Sequence, residues 1–148
     1  MNRFMVMAAV AVMLAALFPS PCACAQMAAS WCSSSDGREL TFIVTRPQLD
    51  ETPSWPDEAE NPPLSARKAI AIARSYLPKL VSDAERWSLG RVSLKPMGKD
   101  KWVYVVQMNE PDLPRPMLGK TVHTMQLVVL MNGETVKPVI SKSKRSDE

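Results

Sequence analysis

The sequence predicts an α+β domain in which one main amphipathic helix packs on an antiparallel sheet of four to five strands. Three observations carry this. Residues 64–80 repeat their apolar side chains at helical spacing, and several other stretches alternate with a period of two and are rich in β-branched and aromatic residues. Asn132-Gly133 has the composition of a tight hairpin turn. A single helix cannot bury its apolar stripe alone, and a meander of strands with one apolar face is its natural partner.

Residues 1–25 have the layout of a secretory signal peptide. Arg3 gives a basic start, an apolar run covers 4–18, Pro19 and Pro21 break it, and Ala23-Cys24-Ala25 places small residues at a cleavage position. The run is shorter than the roughly 20 apolar residues a membrane span needs, and no second run follows. Cleavage after Ala25 is expected, leaving 26–148 as an exported bacterial chain, periplasmic or secreted. An uncleaved anchor is one alternative. A lipoprotein signal at Cys22 or Cys24 is another, but neither is preceded by the Leu-centred small-residue pattern such a signal resembles.

The exported part is the size of one domain with one modest core. The whole chain has a net charge of +3, and loss of Arg3 lowers it by one. So small an excess does not argue for nucleic acid or an anionic membrane as partner. Of the three cysteines only Cys32 survives cleavage, which excludes an internal disulfide.

Residues 26–37 are small and polar apart from Trp31 and Cys32, and a loosely ordered segment is expected there. The single domain then spans 38–140. Residues 38–45 read as a strand with Leu40, Phe42 and Val44 on one face, and Arg46-Pro47 ends it. Residues 48–63 hold five acids, four prolines and Trp55, a composition expected of an extended acidic connector. In the helix, Ala66, Ala69, Ile70, Ala73, Tyr76, Leu77 and Leu80 line one side, with Ile70 and Leu77 expected to be buried against the sheet. Ser65 is the expected N-cap behind Pro62-Pro63, and Pro78 should end or kink the helix.

Residues 87–95 read as the next strand and 96–100 as a turn. Residues 101–109 form the clearest strand. Trp102, Tyr104, Val106 and Met108 share one face, Val103 and Val105 the other, and two apolar faces predict a central position. Pro111, Pro114 and Pro116 make a stiff excursion that a sheet interior could not hold. A long strand over 121–131 follows. The Asn132-Gly133 turn is expected to have two central residues, both at positive φ, before a strand over 134–140 and a disordered charged tail over 141–148.

The run 64–73, Val92-Ser93-Leu94, residues 101–106, and Gln126-Leu127-Val128-Val129-Leu130 ahead of Asn132-Gly133-Glu134-Thr135-Val136 resemble the small exported bacterial PepSY-like domains. The resemblance covers about 64–140 and implies a cystatin-like layout, one helix wrapped by an antiparallel sheet. It departs from the family's usual closing segment, where an acidic residue and a Thr-Gly pair are common. The family brings no catalytic residues that transfer to positions here, and it implies a binding or peptidase-modulating role.

The residues themselves carry no catalytic or cofactor signature. Cys32 with His123, the single histidine, is a formal Cys/His pair, but Cys32 falls in the least patterned segment. The carboxylates of 48–63 have no rigid frame for acid–base work. His123 and Met125 share a strand face, with Met108, Met117 and Met131 as possible neighbours, and imidazole with thioether suits copper. Methionine is also an ordinary filler of irregular cores. Trp55-Pro56 could anchor a partner or cover a sheet edge. The expectation is a non-enzymatic binding module whose partner is a protein or peptide. Periplasmic copper handling through His123 and the methionines is the alternative.

Overall fold

The computed structural model describes residues 26–35, 37–110 and 124–142. Residues 1–25, where a leader is expected, the proline-rich excursion, Met117, His123 and the residues from 143 lie outside the described residues. Six strands are described: β1 (Met27–Ser35), β2 (Arg38–Thr45), β3 (Ser88–Gly98), β4 (Lys101–Asn109), β5 (Thr124–Leu130) and β6 (Pro138–Lys142). Two α-helices, α1 (Arg46–Asp50) and α2 (Ala66–Tyr76), lie between β2 and β3, and α2 runs on into a 3-10 turn over Leu77–Lys79.

The strands form two antiparallel sheets of three, ordered β1-β2-β6 and β3-β4-β5. One main helix on an antiparallel sheet of four to five strands is therefore not the fold, and neither is the cystatin-like layout the resemblance implies. Two local causes account for the difference. The first is β1, built from the segment expected to be loosely ordered. It pairs with β2 over almost its whole length, Trp31 facing Phe42 and Ser33 facing Leu40. Its serines hide it from any alternation count, yet Ser33 and Ser35 are buried. The second is Pro138, inside the stretch read as one strand over 134–140. Proline cannot donate to a ladder and is tolerated at a strand's first residue, so the stretch divides there. Val136 donates to the Val128 carbonyl at 3.0 Å beside β5, whereas Pro138 opens β6 opposite Phe42 of β2. Ser141 and Lys142, read as part of the tail, complete β6.

The two sheets share one core, in which Leu40, Phe42 and Val44 of β2 join side chains from β4, β5 and α2. β1 lies against β5, where the Gln126 amide donates to Ser33 Oγ at 2.8 Å. β4 is central in its sheet and buried on both faces, Tyr104, Val106 and Met108 on one and Val103 and Val105 on the other. α2 packs across β4 and β5. Ser65 caps it, its Oγ accepting from the Lys68 amide at 3.3 Å. The inward face is Ala69, Ala73, Leu77 and Leu80, with Ile72 and Tyr76 packed beside them. Ile70 is half-buried and Ala66 exposed, which corrects the expected burial of Ile70. Ile70 sits about 100° around the helix from Ala69, so a face centred on Ala69 and Ala73 leaves it at the margin.

The acidic connector is anchored along its first half. Gln48 Oε1 accepts from the Thr45 amide at 2.9 Å at the start of α1. Lys101 Nζ donates to the Thr52 carbonyl at 2.6 Å, the Trp55 amide donates to the Asp100 carbonyl at 2.8 Å, and the Trp55 and Trp102 rings lie 5.4 Å apart. The loop after β5 also differs from expectation. The Gly133 amide donates to the Leu130 carbonyl and the Leu130 amide to the Glu134 carbonyl, so the loop has three residues. Only Gly133 has positive φ, at +89°. That matches a type I turn closed by a glycine bulge, so Asn132 need not enter the left-handed region.

Candidate functional site

Two sheets that do not close into a barrel have free edges. Among the described residues the outer strands are β1 and β6 of one sheet and β3 and β5 of the other. β1 and β5 lie against each other and residues 135–136 run beside β5, which leaves the outer edges of β3 and β6. Alternate residues of such an edge turn their backbone N–H and C=O groups outward, where an extended segment can add as a further strand.

The two edges differ in character. β3 carries Arg91, Lys95 and Pro96, and its pairing with β4 slips between Leu89 and Arg91 and again between Pro96 and Gly98. At the first slip, a side chain on Gly90 would meet the Asn109 amide at 2.6–2.9 Å. Charge, proline and bulges are the devices that blunt an edge against pairing. β6 has an unbroken register with β2 and no charge between Pro138 and Ser141. Val139 is 60% exposed and Ile140 51%, and Lys137 and Lys142 flank them.

Residues singled out in the sequence are scattered. Cys32 is exposed on β1, its Sγ 3.7 Å from Thr41 Oγ1, and its proposed partner His123 lies outside the described residues. Met108 and Met125 face each other across β4 and β5, both fully buried, and Met131 is buried in the same core. The three sulfurs lie in a core made mostly of aliphatic side chains. Among the described residues no group of three or more His, Cys, Asp or Glu side chains is placed to hold a metal ion. Trp55 is committed to Trp102 and to a bond from its indole N–H to the Ala59 carbonyl, at 2.9 Å.

A cleft of about 420 Å³ opens near the C-terminal end of α2, lined by residues including Arg74, Glu85, Leu77, Trp87 and Met108. Leu77, Trp87 and Met108 are at most 9% exposed there, and Pro78 and Ala84 supply the more exposed part of the apolar lining.

No family model, curated protein or solved structure matches this chain.

Sequence reasoning did not single out Val139 and Ile140. The available signal was Pro138, because a proline within a strand pattern demotes it to an edge.

Proposed function

We propose that this chain is an exported, non-enzymatic binding module of PepSY-like type, or a peptidase-modulating one, that takes a protein or peptide partner onto a free strand edge. The observation that carries the reading is the pair of unclosed sheets, which leaves backbone donors and acceptors on β3 and β6 for an incoming strand. The leader-like first 25 residues support export, and the PepSY-like pattern supports the peptidase-modulating version.

The test is a pull-down with residues 26–148 from the exported protein fraction, with mass spectrometry of what is retained and an assay of exported proteases in its presence. A stoichiometric protein partner, or slowed proteolysis, is the expected result. Recovery of no partner together with unchanged protease activity would sink the reading.

A further inference from the structure

We infer that the β6 edge is the docking site and that its occupant is an extended segment of another protein with an apolar centre and acidic ends. The inference rests on the binding-module reading above and adds which edge is used and what chemistry meets it.

The contrast within the molecule selects β6. The β3 edge is interrupted by Gly90 and Pro96 and carries Arg91 and Lys95, whereas the middle of β6 presents two exposed aliphatic side chains in unbroken register. Successive strand residues point to opposite faces, so Val139 and Ile140 offer apolar contact on both sides of an added strand. Lys137 and Lys142 stand exposed at the two ends of this short edge.

The same lysines argue against a second copy of this chain. Antiparallel self-pairing centred on Ile140 would set each Lys142 opposite Pro138, and residues 137–142 of a second copy bring two more lysines and no carboxylate. Like charges in facing strand positions destabilise a pair, and opposite charges stabilise it by about 0.2–1 kcal/mol each. A segment with carboxylates at its ends gains pairs with Lys137 and Lys142 that a second copy of this edge does not supply.

The experiment uses residues 26–148 and two synthetic peptides with the same Ile-Val-Ile centre, one with Glu at both ends and one with Lys. Titration is followed by NMR and by amide hydrogen exchange of 138–142. The acidic-ended peptide should slow exchange in β6 and bind about ten-fold more tightly than the basic-ended one, as two favourable end pairs replace two unfavourable ones. K137E/K142E should invert that preference, and V139D should abolish binding while circular dichroism stays unchanged.

Equal binding of the two peptides, or protection at β3 instead of β6, would overturn the inference. So would a concentration-dependent dimer in sedimentation that V139D dissolves, because it would assign the edge to a second copy. If the pull-down recovers a partner that V139D and K137E/K142E retain equally well, this inference fails while the binding-module reading stands.

Discussion

Tyr104 fixes the point at which the chain enters α2. Its hydroxyl donates to the Leu64 carbonyl at 2.9 Å, one residue before the Ser65 cap. Tyr104→Phe leaves that carbonyl without its partner inside the protein, and a loss of about 1–2 kcal/mol in urea unfolding is expected. Burial also pushes the Tyr104 pKa above 10.0, and that of Tyr76 likewise. A raised phenol pKa means the unfolded chain gives up its proton first. The stability tied to the neutral phenols is therefore intact below pH 10 and is lost as the pH climbs through the folded-state values. Urea midpoints measured from pH 8 to 12 should be flat and then fall, and the fall should be shallower in Tyr104→Phe. Gly133 tests the turn after β5. With φ at +89°, Gly133→Ala should cost about 1 kcal/mol or more from backbone strain alone, since Ile72 Cδ1 at 3.5 Å from a would-be Cβ is an ordinary contact.

Among the elements, β1 has the widest influence on the architecture. Ser33 links it to β5 through the Gln126 amide, so Ser33→Ala orphans a partly buried donor, and a destabilisation of about 1–3 kcal/mol is expected in thermal or urea melts. β1 was also the element least legible in the sequence. Four of its nine residues are serine, and the strand is held by pairing to β2 and by a hydroxyl bond, neither of which leaves an apolar period. β4 was legible because two apolar faces can only be satisfied by burial on both sides. α2 was legible at its start from Ser65 and Pro62-Pro63, but which of Ile70 and Ile72 packs inward depends on where the sheet lies, and the helix sequence does not contain that. The division at Pro138 is written in the sequence as a missing N–H, while Val136, Val139 and Ile140 around it keep the apolar character of a strand. The candidate edge was hidden for the same reason, since exposure of Val139 follows only once β6 is known to end a sheet. His123 is among the residues outside the description, so the copper reading gains no geometry from the fold.

On the scale of the whole molecule, one core spans both sheets and α2. Unfolding followed by tryptophan fluorescence and by far-ultraviolet circular dichroism should therefore give coincident transitions, and a separate early transition would mean that the β1-β2-β6 sheet melts independently. The pairing of β2 with β6 also bears on the order in which the fold can assemble. Phe42 meets Pro138, a partner nearly a hundred residues further along the chain, and closing so long a loop costs entropy before any contact repays it. The β1-β2 hairpin is available as soon as its residues emerge, but a two-stranded hairpin is marginal in water. Its third strand comes from beyond the β3-β4-β5 sheet. The β1-β2-β6 sheet therefore stays unfinished until β6 arrives, so the fold cannot close before nearly all of the described residues are available to pair.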